Sequence, residues 1–118
     1  MRSFHELEVW QFGMQLTRLI YPLTSKLPKD ELFGLSSQIR RATVSIPTNI
    51  AEGYGRNNRK EYLQFLGIAA GSQCEVETLL IVCRDVYELD VEEAMSLNKR
   101  IGSMLWRLRE SLRVASSE

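Results

Sequence analysis

The chain has 118 residues, with 15 Lys and Arg balanced by 15 Asp and Glu, and is 44% apolar and 25% charged. That length fits one domain, 1–118, able to bury roughly two-thirds of the surface its unfolded chain exposes. Zero net charge argues against a strong general nucleic-acid binder. No run of about 18 apolar residues is seen that would cross a membrane. The opening MRSFHELEVWQ carries Glu6 and Glu8 where a secretory signal needs an apolar core, so the expected location is cytoplasmic.

Four segments repeat apolar residues every three or four positions, and none alternates with period two. The fold class expected is therefore all-α, with helices over about 4–26, 29–54, 59–88 and 91–115. In the first, Val9, Phe12, Leu16, Leu19, Ile20 and Leu23 share a face, and Ser3 with Glu6 forms a capping box at its start. In the second, Leu32, Leu35, Ile39, Ala42, Ile46 and Ile50 make the stripe. Pro47 kinks it without ending it, because the stripe stays in phase beyond the proline. The third is capped by Asn58 with Glu61 and runs Tyr62, Leu66, Ala69, Gln73, Val76, Leu80, Cys83 and Tyr87. Its apolar arc covers about half the circumference, more than a lone amphipathic helix needs. Gly67 and Gly71, one turn apart, leave room for another backbone. Asp90 and Glu93 cap the fourth, with Ala94, Leu97, Ile101, Met104, Leu105, Leu108 and Leu112 behind them. Short connections between long helices imply an antiparallel up-down-up-down four-helix bundle. The breadth of the apolar arcs implies surface left over for another copy of the chain.

Cys74 and Cys83 lie nine residues apart on one helix, on opposite faces and roughly 13 Å apart along its axis, so they cannot bridge each other. Both read as reduced, buried, structural residues. With one histidine, His5, and no Cys-x-x-Cys, no Cys/His metal set can be assembled from one chain, and no metal or cofactor is expected. His5 reads as a surface residue. No Glu-x-x-His pair is present for a di-iron site, and Gly53-Tyr54-Gly55-Arg56 matches neither phosphate-loop pattern. No catalytic residue is assigned, and the chain is expected not to be an enzyme.

The charge is unevenly placed. Residues 36–60 carry Arg40, Arg41, Arg56, Arg59 and Lys60 against Glu52, while residues 61–90 carry Arg84 against six acids, Glu61, Glu75, Glu77, Asp85, Glu88 and Asp90. Neighbouring segments of opposite sign can neutralise each other side by side. The five bases are also the candidate nucleic-acid contacts, with Tyr54 and Tyr62 near enough to stack on unpaired bases. Along the second helix, Gln38, Arg41, Ser45, Asn49, Glu52 and Arg56 form a polar stripe at the border of the buried face. Ser72 and Glu75 sit within the apolar arc of the third helix, where a carboxylate needs a partner. Glu75 is expected to pair with Arg41 or Arg56, between helices or between subunits. Two readings of this seam stay open: it fixes register and oligomer geometry, or it lines a ligand or nucleic-acid surface.

Several runs resemble one family. They are Val9-Trp10-Gln11, Glu31-Leu32-Phe33-Gly34-Leu35, Gln38-Ile39-Arg40-Arg41-Ala42, Ser45-Ile46-Pro47-Thr48-Asn49-Ile50-Ala51-Glu52-Gly53, Glu61-Tyr62-Leu63-Gln64-Phe65-Leu66 and Ala69-Ala70-Gly71-Ser72. Together they are similar to the bacterial four-helix-bundle proteins encoded in intervening sequences of 23S ribosomal RNA genes. That resemblance implies a bundle assembling as a ring-shaped homopentamer. It also implies kinship with the accessory protein of diversity-generating retroelements, which partners a reverse transcriptase and binds nucleic acid. It brings no catalytic residues. The function expected is a non-enzymatic oligomeric scaffold or adaptor that binds protein or RNA through surfaces repeated around the ring. The alternative is a dedicated RNA-binding protein using Arg40, Arg41, Arg56, Arg59 and Lys60.

Overall fold

The computed structural model describes residues 3–117, the last two as backbone. Among the described residues there are four α-helices and no strand: α1 (Glu8–Thr24), α2 (Leu35–Gly55), α3 (Arg59–Tyr87) and α4 (Glu92–Ser117). Each helix packs on its neighbour in the chain, and α1 closes the circuit against α4, giving a rod of 50 × 20 × 19 Å.

Two helices start later than the apolar pattern implies, and in both cases a side chain decides it. Ser3 Oγ accepts the amide of His5 at 3.2 Å and closes a short 3-10 turn over Phe4–Glu6 in place of the capping box expected with Glu6. Leu7 is then extended, and α1 begins at Glu8. A second 3-10 turn, Lys29–Glu31, precedes α2. Gly34 breaks the path with φ −109° and ψ −110°, and Glu31 Oε1 reaches forward to accept the amide of Leu35 at 3.2 Å. The other two starts are capped by side chains as well. Asn58 Oδ1 accepts the Glu61 amide at 3.0 Å, and Asp90 Oδ1 accepts the Glu92 amide at 3.1 Å. α3 stops at Glu88, a left-handed residue with φ 56°, whose amide and that of Leu89 return to Arg84 and Cys83 carbonyls.

The core is aliphatic. Leu16 and Ile20 of α1, Ile39, Ile46 and Ile50 of α2, Leu66, Val76 and Leu80 of α3, and Ile101 and Leu105 of α4 are wholly buried. Each contributes about 1.5–3 kcal/mol by leaving water. α2 runs unbroken through Pro47, which is buried against α1 where Gly13 lies. A Cβ at Gly13 would come within 3.3 Å of the proline ring. The tightest approach is at Gly53, where a Cβ would stand 2.7 Å from Phe65 Cβ and 3.1 Å from the Tyr62 ring. Gly67 and Gly71, expected to admit another backbone, do not serve that purpose in this chain: nothing lies within 4 Å of a Cβ built at Gly71, and Gly67 meets the tip of Arg109 at 3.7 Å. Their side of α3 does not face the core.

A buried polar bridge sets the register between α3 and α4. Gln73 Nε2 donates to the Asn98 carbonyl at 3.2 Å, and Asn98 Nδ2 donates back to the Gln73 carbonyl at 3.1 Å. At one end of the bundle, the Tyr87 hydroxyl donates to Glu31 Oε2, tying the end of α3 to the turn before α2. The ion-dipole pairing holds the Glu31 carboxyl below its usual range and pushes the Tyr87 phenol up to about 12.

α3 combines 29 residues with a mean hydropathy of 1.4 over its most apolar 18-residue window, so it is long and apolar enough to cross a membrane by composition. No unbroken apolar run marks it in the sequence, because residues such as Ser72, Gln73, Glu75 and Glu77 interrupt it. Its buried face packs in the bundle, while Ile68 and Val86 lie 52% and 63% exposed.

Two predictions follow from the packing. Gly53→Ala loses about 1–3 kcal/mol in urea unfolding, because Phe65 Cβ has no freedom to move aside. Gly71→Ala gains about 0.5–1 kcal/mol, since it adds helix propensity and meets nothing.

Tyr87→Phe lowers the melting temperature across a defined pH window. Glu31 is depressed in the folded state, so its share of the stability is present above its ordinary value of 4.5 and lost as pH falls through the folded value. Tyr87 is raised, so its share is present below its ordinary 10.0 and lost as pH climbs toward about 12. The gap between wild type and variant is therefore widest between these limits and closes on either side, which a series of thermal melts measures.

Candidate interaction surface

The polar stripe of α2 faces α3 across an open groove of about 560 Å³. Ser45 Oγ lies 2.8 Å from Ser72 Oγ, and Asn49 Nδ2 donates to the Ser45 carbonyl at 2.8 Å and to its hydroxyl at 2.9 Å. Farther along, Gln38 Nε2 reaches Glu75 Oε2 at 3.4 Å. The seam residues Gln38, Ser45, Asn49, Ser72 and Glu75 are thus brought together. Glu52 lies beyond them, paired with Arg56 at 3.6 Å on the exposed side of α2.

Glu75 differs from its expected setting. It is exposed at the rim of the groove, with Gln38 as its hydrogen-bond partner, and Arg56 is occupied by Glu52. The carboxylate sits at the edge of the α3 arc, where water solvates it and no buried charge needs a partner. Arg41 lines the same groove without an ion pair among the described residues.

The five candidate bases separate into two groups. Arg40 is half-buried and tied to the end of α1: its Nε donates to Thr24 Oγ1 at 2.8 Å, and its Nη2 donates to the Tyr21 carbonyl at 3.3 Å and to Ser25 Oγ at 3.4 Å. Its guanidinium also stands 4.7 Å from the centre of the Tyr21 ring. A cation is favoured there, at the negative end of α1. Arg56 lies over the Phe65 ring at 5.1 Å in addition to its pairing with Glu52. Arg41, Arg59 and Lys60 are exposed. Tyr54 and Tyr62 meet edge to face at 6.0 Å, and burial pushes the Tyr62 phenol up to about 12, so their ring surfaces serve the bundle.

Cys74 is exposed, which corrects its expected burial: position 74 falls just outside the arc that carries Gln73 and Val76 inward. Cys83 is buried, and burial pushes its thiol up, keeping it an inert packing residue. His5 is exposed and stacks on Phe4 at 4.1 Å.

Sequence reasoning missed the most exposed large apolar residue. Phe33, in the turn before α2, is 92% exposed and overhangs the groove beside Gln38 and Glu75. Val44 on α2 and Ile68 on α3 are also exposed, at 38% and 52%. The pattern that placed Leu32 on the core stripe concealed this, because a break at Gly34 takes residues 32 and 33 off the helix.

The described residues form an all-helical bundle with a polar groove overhung by the exposed Phe33. The profile of the 23S rRNA-intervening sequence protein family matches residues 5–109, and the chain belongs to that family. A solved structure shares the fold: a protein with unknown function from the S23 ribosomal protein family of Bacteroides thetaiotaomicron VPI-5482, determined at 1.70 Å. The two align with a TM-score of 0.75 over 86% of this chain and 95% of that one, at 24% identity. No curated protein matches the chain.

The division among the bases is testable by unfolding. Arg40→Gln lowers stability by about 1–2 kcal/mol, leaving buried Thr24 and the end of α1 without their donor. Arg41→Gln changes it by less than about 0.5 kcal/mol.

Proposed function

We propose that this protein is a non-enzymatic cytoplasmic scaffold or adaptor whose copies close into a ring, each presenting the same surface to a protein or RNA partner. The subunit is an antiparallel up-down-up-down bundle. Supporting that topology, Gln38 meets Glu75, Ser45 meets Ser72, and Gly53 meets Phe65, so positions rise along α2 as they fall along α3.

One observation carries the assembly reading: Phe33, 92% exposed, stands over a polar groove between α2 and α3, and Val44 and Ile68 on those two helices are exposed as well. A soluble chain gains by covering such a patch. The charge pattern favours a second copy as the cover. Arg41 of α2 and Glu75 of α3 are both exposed and carry opposite charge, so α2 of one copy complements α3 of the next. A contact between two different surfaces propagates head to tail, and it closes into a ring when the rotation allows. Five copies is the number the family resemblance implies. Within such a contact Arg41 of one copy lies opposite Glu75 of another.

Light scattering on the purified protein tests this. The expected mass is about five times the 13.6 kDa chain, and Phe33→Asp with Ile68→Glu reduces it to that of a single chain. Arg41→Glu weakens the assembly, and adding Glu75→Arg restores it. A wild-type protein that runs as a lone compact chain at micromolar concentration defeats the proposal.

A further inference from the structure

A second groove, of about 750 Å³, lies between α3 and α4 and plays no part in the assembly reading. Its α4 wall carries Lys99, Ser103, Trp106 and Arg107, and its α3 wall carries Gln73 and Glu77. Trp106 is 60% exposed. The stretch 94–109 of α4 holds Lys99, Arg100, Arg107 and Arg109 and no acidic residue. Arg100 is turned away, over the Phe12 ring of α1 at 4.5 Å, and the Arg109 guanidinium lies by Gly67. Lys99 and Arg107 line the groove together with the indole, Lys99 two turns before it and Arg107 beside it, roughly 12 Å apart along the helix axis.

We infer that this groove binds single-stranded nucleic acid, with one unpaired base lying on the Trp106 indole and phosphates of the strand held by Lys99 and Arg107. Aromatic faces bounded by cations are the elements that hold an unpaired strand. An amphipathic helix is a poorer occupant, because such a helix needs several apolar anchors along a groove and this one offers a single large apolar surface between polar walls. A free mononucleotide is poorer still, since its phosphate group at one place cannot meet two cations roughly 12 Å apart along the helix. Glu77, opposite, accepts from an exocyclic amine and otherwise repels the backbone. Gly102 leaves the groove floor shallow: it sits where the Gln73 side chain, held by its bond to Asn98, already fills the space a Cβ would take.

The test is fluorescence anisotropy of the full-length protein with a labelled, unstructured oligouridylate of about twelve nucleotides, at about 50 mM salt. Trp106→Ala is expected to weaken binding by about fivefold to a hundredfold, the value of one base stacked on an aromatic ring. Trp106→Phe keeps most of the affinity. Lys99→Gln with Arg107→Gln flattens the salt dependence by about 1.4 in the logarithmic slope, the contribution of two phosphates on a single strand. Glu77→Gln tightens binding, and an RNA duplex of the same length fails to compete. The inference is overturned by wild-type protein that binds no oligonucleotide, or by a folded Trp106→Ala variant with wild-type affinity. It is equally overturned if an oligoglutamate peptide of matched charge competes as well as the RNA, or if Arg59→Gln with Lys60→Gln removes the binding. Should Trp106→Ala fail to fold by circular dichroism, the phenylalanine variant and the double cation variant decide the matter alone.

Discussion

α3 is more apolar than its two flanking helices can cover, and the rest of the molecule is arranged around that constraint. Leu66, Ala69, Val76, Leu80 and Cys83 go into the core against α2 and α4. Ile68 and Val86 stay outside, on positions that a helix with two neighbours cannot turn inward. Polar residues accommodate the seams on both flanks. Toward α2, Ser72 and Glu75 meet Ser45 and Gln38; toward α4, the Gln73 and Asn98 side chains each donate to the other's backbone carbonyl. These bonds add little net energy each, but a slip by one residue would leave buried groups unpaired, so they select one register from several of similar apolar burial. Asn98 carries the cost of this arrangement in its Oδ1, which is buried and has no partner among the described residues.

The number and order of the helices were legible because each apolar stripe persists over several turns, long enough for periodicity to outweigh local exceptions. Pro47 illustrates this: the stripe stays in phase from Ile46 to Ile50, and the helix continues. Helix starts were less legible, because they turn on single side-chain bonds. Ser3 chose the amide of His5, and Glu31 capped Leu35 across an irregular glycine. Neither choice leaves a trace in hydrophobic period. The glycines failed for a related reason. A Gly-x-x-x-Gly spacing marks a smooth helix face without saying what stands opposite, and the close contacts formed at Gly13 and Gly53, which belong to no such pattern.

For the surface, composition along the sequence was a poor guide to charge in space. Tallying residues 36–60 joined Arg40 to Arg41, although helical geometry sends the first into the end of α1 and leaves the second in the groove. The same tally passed over α4, which carries as many bases, two of them lining a groove with an exposed tryptophan. A neutral total therefore conceals local fields. What decides whether a base can meet a polyanion is the set of partners it already has, and the five bases chosen from sequence divide in that respect: Arg40 and Arg56 are committed, while Arg41, Arg59 and Lys60 are exposed without an ion pair among the described residues.

The two grooves belong to opposite flanks of α3, since Ser72 and Glu75 line one and Gln73 and Glu77 the other. One residue of offset on an α-helix turns a side chain by about 100°, and two by about 200°, so adjacent letters in this run address different surfaces. That separation has a mechanical consequence. If copies join through the α2–α3 face, the α3–α4 groove stays open on every copy and recurs at a fixed spacing. Weak single sites then act together on one strand, because occupying the first raises the effective concentration at the next. A shallow groove with one stacking residue would hold a single nucleotide poorly, yet a repeated array of such grooves could hold a chain well. The unburied apolar flank of α3 would thus govern binding at the opposite flank through the number of copies it brings together, without any change of shape within the subunit.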